Sequence, residues 1–437
     1  MALTRTKDRV LAADLPAHKN ERVLVEGWVH AIRKFGAVNF LILRDRSGMA
    51  QVILEPDQMQ RLEGMQAETV VRVTGTVDEE ERAAHGVEVR NADVEVLTPV
   101  TDVLPFEINK RVLKPSLDVF LNHAPVGLRY PSKQATFRLY SDLLRGFGEY
   151  LRARDFTEIH TPKIFGSATE SGANVFVLDY FGKTGYLTQS PQLYKQIMVG
   201  VFERVYEIGP AFRAEEHYTA RHLNEFNSLD AEMGFIDGVD QVLDLLIGVL
   251  EHMVTAMAER RPADLEALKV RLPVFGDVPR ISFREAQQII LDEHGESRFH
   301  EPDFSPQDER WVSQWALREH GTDFCFVTHF PTVKRAFYTM PDPEDPEHSF
   351  GFDLLFRGQE LVSGAQRIHN HAQLVETMQN RGMSLEPFEG YLEAFKFGLP
   401  PHGGFAIGSE RLLMRLLEAD NIRETTLFPR DVNRLIP

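Results

Sequence analysis

The chain reads as an α+β protein in two parts. A small closed β-barrel of the OB type comes first, and a larger domain with an antiparallel sheet flanked by helices follows. Three observations predict this. Five short segments rich in Val, Ile and Phe crowd residues 20–98. A proline-punctuated stretch without periodicity comes next. Beyond it, strand and helix patterns occur without regular alternation, which argues against a parallel doubly wound sheet.

The five segments are RVLVEGWVHAI, AVNFLILRD, MAQVILE, TVVRVTGTV and GVEVRNADVEVL. Several alternate polar and apolar residues, as half-buried strands do. RKFG, RDRSG and DEEERAAHG separate them as turns. Five strands at this spacing fit a small closed barrel, with a plain β-sandwich module as the competing reading. The first domain is therefore placed at residues 1–104, an irregular hinge at 105–131 and the second domain at 132–437. The second domain opens with a helix on which Phe137, Leu144, Phe147 and Leu151 recur at helical spacing. FTEIHTPKIF reads as a strand, residues 200–236 as paired strands, and DQVLDLLIGVLEHMVTAMAER as a long helix. The chain closes on a glycine-rich strand running into a helix, HGGFAIGSERLLMRLLEA.

With 437 residues and 43% hydrophobic content, the chain can bury a large core. No run of about 18 apolar residues marks a membrane span, and the N-terminus lacks the apolar region of a secretory signal. The single cysteine, Cys325, lies in the apolar DFCFVTHF and reads as a buried thiol rather than a nucleophile. No Cys/His spacing suits zinc. These features predict a cytoplasmic protein. The net charge of −17 excludes general coating of polyanions and leaves room only for specific RNA contacts.

The segment FRAEEHYTARHLNEF, residues 212–226, gathers fixed charges of both signs. Arginine suits a bent triphosphate, being always charged and able to bond bidentately. On a strand Arg213 and Glu215 would face one side, and Phe226 could stack under a base. A solvated hairpin with surface ion pairs is the bland alternative. GSERLLMRLL sets Arg411 at a strand-to-helix junction after Gly408, near N–H donors that suit phosphate. GQELVSGAQR carries Glu360 and Ser363, oxygen ligands of the kind Mg²⁺ takes, and then Arg367. QSPQLYKQ offers Gln189, Ser190, Gln192 and Lys195. FGKTG fails as a P-loop because Val177 stands where the first glycine is required.

Together these stretches resemble the class II aminoacyl-tRNA synthetases, and within them the compact archaeal-like aspartyl enzymes. The resemblance spans nearly the whole chain: barrel, hinge and three class motifs in order, at residues 133–164, 205–233 and 403–417. The HIGH and KMSKS signatures of Rossmann-type synthetases are absent. ATESGANVF resembles the loop that closes over the amino acid, and LFPRDVNRLIP the family's C-terminal tail. The interval from Glu232 to Ser349 is short for the extra domain many bacterial aspartyl enzymes carry.

The resemblance implies roles. Arg213 would bridge the substrate α-carboxylate and the ATP α-phosphate. Glu215 would face adenine and Phe226 would stack on it. Arg221 and His222 would meet the outer phosphates, and Arg411 the far side of the bent ATP. Leu223, Gly408, Ser409 and Glu410 would complete the ATP site. Glu360 and Ser363 would hold Mg²⁺, with Ser363 also beside the amino acid. Glu170, Gln192 and Asp230 would receive the α-ammonium group. Lys195 and Arg367 match the aspartyl pattern for the cations that meet an anionic side chain, because a buried anion needs such partners.

In this family the barrel binds the anticodon. Phe35 fits the ring that stacks on the central anticodon base, a contact worth about 1–3 kcal/mol, although a barrel-rim core residue would look the same. Arg33 and Arg46 could contact phosphate or bases. His30, just after GWV, resembles enzymes that charge both tRNA(Asp) and tRNA(Asn), although a neutral residue on the barrel would look the same. The implied reaction is activation of L-aspartate by ATP and transfer to tRNA(Asp), and also to tRNA(Asn). A homodimer with Pro162 near its interface is implied, and relaxed specificity implies a partner amidotransferase acting on Asp-tRNA(Asn). Rival readings are a strictly tRNA(Asp)-specific enzyme, an asparaginyl-tRNA synthetase, an ammonia-dependent asparagine synthetase without a barrel, and a non-catalytic RNA-binding paralogue.

Overall fold

The computed structural model describes residues 9–35, 38–62, 64–166 and 174–436. The chain divides into two compact units, Met1–Tyr130 and Pro131–Pro437.

The first unit is built on β1 (Arg22–Phe35), β2 (Val38–Arg44), β3 (Met49–Leu54), β4 (Val70–Glu79) and β5 (Val87–Thr98). They close in the order β1-β2-β3-β5-β4, a barrel and not a sandwich. β1 pairs with both β2 and β4, and a parallel contact of β3 with β5 completes the ring. On β4, Val71, Val73 and Val77 point inward while their neighbours face out, as alternation requires. Each inward valine contributes about 1.5–3 kcal/mol by leaving water. RKFG, expected as a turn, belongs to β1 as far as Phe35, which pairs with Val38. The stretch read as an irregular hinge contains two short helices, Leu117–Asn122 and Ala124–Gly127. Ser116 caps the first by accepting from the Val119 N–H.

The second unit carries an eight-stranded sheet. Its order is Arg280–Ser282, Phe324–Thr328, Gly351–Phe356, Gln359–Arg367, His402–Gly408, Glu225–Gly234, Arg204–Phe212 and Thr157–Glu158. The six central strands are antiparallel, and only the two edge strands join in parallel. The long strand expected at FTEIHTPKIF is reduced to two short ones, Thr157–Glu158 and Ile164–Phe165.

Helix Pro131–Arg152 buries Leu139, Leu143, Phe147 and Leu151, four residues apart along one face. Phe137 and Leu144, expected on that face, are only half-buried. Gly146 lets the partner helix Asp240–Arg260 approach: a Cβ there would lie 2.9 Å from the Met253 Cα. Helix Asp240–Arg260 is long and apolar enough to cross a membrane by composition, with a mean hydropathy of 1.4. Here Val242, Leu246, Val249, Leu250 and Met253 pack into the core around the sheet. Cys325 is buried in an edge-side cluster, and burial pushes its thiol up to about 12, so it is inert as expected.

Candidate active site

The charged segment is the loop between two antiparallel strands, Arg204–Phe212 and Glu225–Gly234, whose last pair is Phe212 with Glu225. Arg213 and Glu215 were expected on a strand. The strand ends at Phe212, so strand alternation does not place them. Asn224 does. Its side-chain amide donates to the Arg213 and Glu215 carbonyls at 2.7 and 3.0 Å, and its carbonyl accepts the Arg213 N–H at 2.9 Å. The result brings Arg213 Nη1 within 4.0 Å of Glu215 Oε1 and His222 Nε2 within 3.5 Å of Glu215 Oε2. The Arg213 guanidinium lies 5.4 Å from the centre of the Phe226 ring. A short 3₁₀ turn, Ile422–Thr425, braces this loop. Arg423, fully buried, donates to the Thr219 carbonyl at 2.9 Å and stacks over Tyr218. Neither Asn224 nor Arg423 stood out in the sequence.

The loop faces the sheet across a cleft. The loop contributes Arg213, Glu215, Arg221, His222 and Leu223 to its lining, and the sheet with the helix that follows it contributes Phe226, Glu360, Ser363, Gly408, Glu410 and Arg411. Glu360 and Ser363 are three apart on a strand, a spacing that ordinarily points side chains to opposite faces. A β-bulge corrects this: Leu354 pairs with Val362 and Leu355 with Glu360, leaving Leu361 extra. Arg411, in the first turn of helix Ser409–Leu416, donates to the Glu360 carbonyl at 2.9 Å.

Three further residues crowd this corner without having been legible in the sequence. Glu309, on helix Pro306–His320, accepts the Glu360 N–H at 3.1 Å. Asp353 is held bidentately by Arg335 at 2.9 Å on each oxygen, and Arg335 also donates to the Ser363 hydroxyl at 3.0 Å. Burial pushes the Glu360 carboxyl up to about 7, and the Asp353 and Glu309 carboxylates add to the effect against Arg411 and Arg335. Burial likewise raises Glu309. An acid pushed up this far is one that a cation would relieve. Its oxygen and that of Ser363 are the hard ligands Mg²⁺ takes, so the residues fit that ion. Among the described residues no three His, Cys, Asp or Glu side chains converge as a metal site.

Next to the cleft lies a buried charge network. Lys195, on helix Gln192–Phe202, is 1% exposed and donates to Asp230 at 2.9 Å, with Glu232 at 3.4 Å. Arg367 donates to Glu232 at 2.8 Å and to the Gln192 side-chain carbonyl at 3.2 Å. Burial alone would push the Glu232 carboxyl up, but Arg367 and Lys195 outweigh it and hold it below its ordinary value. Gly404 makes room for this acid, since a Cβ there would collide with the Glu232 carboxylate. Of the seven residues expected around the amino acid, Gln192, Lys195, Asp230 and Arg367 are thus adjacent, Arg213 and Ser363 line the neighbouring cleft, and Glu232 is the addition. Glu170 lies outside the described residues.

The family described as tRNA synthetases class II (D, K and N) matches residues 116–432. The chain belongs to this family. The description OB-fold nucleic acid binding domain matches residues 23–97. A Thermus thermophilus protein named aspartate–tRNA(Asp/Asn) ligase is 44% identical over 98% of this chain and 100% of its own length. A Picrophilus torridus aspartate–tRNA(Asp) ligase is 41% identical, covering 98% of each. Among solved structures, asparaginyl-tRNA synthetase from Pyrococcus horikoshii with asparaginyl-adenylate superimposes with a TM-score of 0.90 at 29% identity. That match covers 99% of this chain and 100% of the other. As a class II synthetase the chain is a ligase of a class that uses ATP, generally with Mg²⁺.

In this synthetase the start of the third motif is partly structural. The Glu410 carboxylate accepts the Asn227 N–H at 3.0 Å, and Tyr140 donates to it at 3.2 Å. The Ser409 hydroxyl is buried and donates to the Asn227 carbonyl at 2.9 Å. Both residues therefore tie the helix to the strand carrying Phe226, and only Glu410 also lines the cleft.

In the synthetase's barrel, Arg33 and Arg46 are exposed. His30 is 7% exposed, its Nδ1 without a hydrogen bond, and burial followed by nearby Arg44 lowers its pKa. It is therefore a neutral wall residue with only a small part of its ring open. Phe35 closes β1, and its side chain lies outside the described residues.

Proposed function

We propose that the chain is an aspartate–tRNA ligase that forms aspartyl-adenylate from L-aspartate and ATP and esterifies the 3′ end of tRNA(Asp) and of tRNA(Asn). The observation that carries the amino-acid choice is the buried cation pair Lys195 and Arg367 around Glu232. Lys195 pairs with Asp230 and Arg367 with Glu232; when Asp230 turns to the α-ammonium group, Lys195 is left with a positive charge for the substrate side chain. A β-carboxylate matches it and an amide does not. The 44% identity to an aspartate ligase supports the same reading.

In this reading the aspartate α-carboxylate attacks the ATP α-phosphorus and diphosphate leaves. Arg213 and Arg411 stabilise the charge that spreads over the phosphoryl oxygens, with no protein nucleophile or general base. Phe226 and Glu215 hold adenine, while Arg221 and His222 hold the outer phosphates. Leu223, Gly408 and Glu410 shape the cleft, and Ser409 positions Glu410. Glu170 and Gln192 join Asp230 at the ammonium group. Mg²⁺, held by Glu360 and Ser363, would neutralise phosphate charge when bound. The terminal tRNA hydroxyl then attacks the adenylate carbonyl, the bond to phosphate breaks and AMP leaves. The barrel meets the anticodon through Phe35, Arg33 and Arg46, with His30 setting how strictly the anticodon is read. The chain works as a cytoplasmic homodimer contacting its copy near Pro162, and an amidotransferase consumes the Asp-tRNA(Asn).

The test is aspartate charging of purified tRNA(Asp) and tRNA(Asn) transcripts at one fixed salt concentration. Comparable charging supports relaxed reading. Charging of tRNA(Asp) alone removes tRNA(Asn), the amidotransferase and the role of His30, and charging of neither overturns the proposal.

A further inference from the structure

Beside the nucleotide cleft lies a second hollow, of about 570 Å³, that none of these steps uses. Five arginines face it: Arg221, Arg271, Arg310, Arg357 and Arg415. Only two acids line it, Glu418 and Asp420. For a chain with a net charge of −17 this is a local reversal of sign.

Two of the five arginines are explained by the fold. Arg271 and Arg357 share Asp323, at 3.2 and 3.4 Å, and Glu418, at 3.2 and 3.4 Å. Arg357 also caps helix Ser409–Leu416 by donating to the Arg415 and Leu416 carbonyls. Among the described residues, no carboxylate lies within ion-pair distance of the other three. Arg310 is exposed and donates only to Gln307, at 2.6 Å. Arg415 donates to the Arg357 carbonyl, while its Nε is buried without any acceptor. Arg221 lines both this hollow and the nucleotide cleft, so the two join at its side chain.

Guanidinium groups that face one another across a hollow repel, and a buried N–H without an acceptor is costly. An anion with several oxygens answers both, because arginine forks match phosphate bidentately. The junction at Arg221 selects which anion, since the proposed outer phosphates of ATP lie on its other side. We propose that this hollow is a second phosphate subsite, in series with the triphosphate site, that takes inorganic diphosphate as it leaves the reaction. The inference rests on the ATP-dependent activation proposed above. No bond is made or broken here: the diphosphate expelled when the carboxylate–phosphorus bond forms passes from Arg221 to Arg310 and Arg415.

The experiment uses the full chain saturated with a non-hydrolysable ATP analogue, so that the triphosphate site is filled. Inorganic diphosphate is then titrated by calorimetry with Mg²⁺ at constant ionic strength and without RNA. The wild type should bind one further diphosphate per chain. Arg310→Glu should weaken this binding at least tenfold and Arg310→Lys less, with the affinity for the analogue unchanged in both. Arg415→Gln, checked for an unchanged melting temperature, should act in the same direction. No diphosphate binding to the analogue-filled protein overturns the proposal, as does binding that Arg310→Glu leaves intact. If Arg310→Glu spares diphosphate binding and raises only the KM for tRNA, the hollow is an RNA-phosphate surface instead. Failure of the proposed activity would appear separately, as absent aspartate-dependent exchange of diphosphate into ATP.

Discussion

Arg367 donates to Glu232 at 2.8 Å with both side chains buried. Lys195 approaches the same acid from the helix side at 3.4 Å. Lys195 is itself held by Asp230 at 2.9 Å and by the Phe405 carbonyl at 3.1 Å, so Glu232 is chiefly the counter-charge of Arg367. Glu232→Gln should leave the buried Arg367 without its counter-charge. Removing one member of a buried ion pair costs about 3–5 kcal/mol, so the melting temperature should fall by many degrees. A variant as stable as the wild type would show that Glu232 is not the anchor.

Lys195→Met keeps the stem and removes the charge. Its kcat/KM for aspartate should fall by roughly 100-fold or more, equivalent to about 3 kcal/mol. The KM for ATP should change little, because Lys195 does not line the nucleotide cleft. Equal loss toward ATP and aspartate would point to general disruption of the site.

His402 is fully buried, with Nε2 2.9 Å from the Gln196 side-chain nitrogen and Nδ1 donating to the Pro400 carbonyl at 2.8 Å. Burial drives its pKa down to about 4 from the ordinary 6.5. The unfolded chain thus binds a proton between these values that the folded chain refuses. Its contribution to stability is intact above pH 6.5 and lost as pH falls toward 4. Denaturant midpoints measured from pH 7.5 to 4.5 should fall, and His402→Gln should flatten the fall. An unchanged slope in the variant would place the acid sensitivity elsewhere.

The Glu360 carboxyl, pushed up to about 7, must lose its proton to hold a cation. Binding of Mn²⁺ together with an ATP analogue should therefore tighten as pH rises through 7, and Glu360→Gln should weaken binding and remove that dependence. The same pH dependence in wild type and variant would exclude Glu360 as the ligand.

Asn224 holds the Arg213 and Glu215 carbonyls with one amide. Asn224→Ala should lower kcat/KM for adenylate formation about tenfold, in line with about 1.4 kcal/mol for lost hydrogen bonds. Unchanged activity would mean that the loop holds its shape without it.

The barrel was legible because polar and apolar residues alternate on its strands, as on β4. The cleft was legible through arginines packed close in sequence, such as Arg213 and Arg221. The Glu360–Ser363 pair was legible from the resemblance, not from geometry. Nothing in the letters marks Leu361 as the bulge that turns both to one face. Glu232, Glu309, Asp353 and Arg335 were missed for another reason. Each is an acid or base whose partner is distant in sequence, and only the folded sheet shows that it is buried and paired. Helix Pro131–Arg152 was found with its face partly misassigned, because Phe137 and Leu144 fit the same period as Leu139 and Leu143.

In the proposed function a buried pair of cations selects aspartate. The most direct measurement is amino-acid-dependent exchange of labelled diphosphate into ATP, with aspartate and asparagine compared side by side on the wild type. Exchange is expected with aspartate, and at least roughly 100-fold lower kcat/KM with asparagine, because the amide leaves a buried cation without its counter-charge. Exchange with asparagine equal to or better than with aspartate would contradict it.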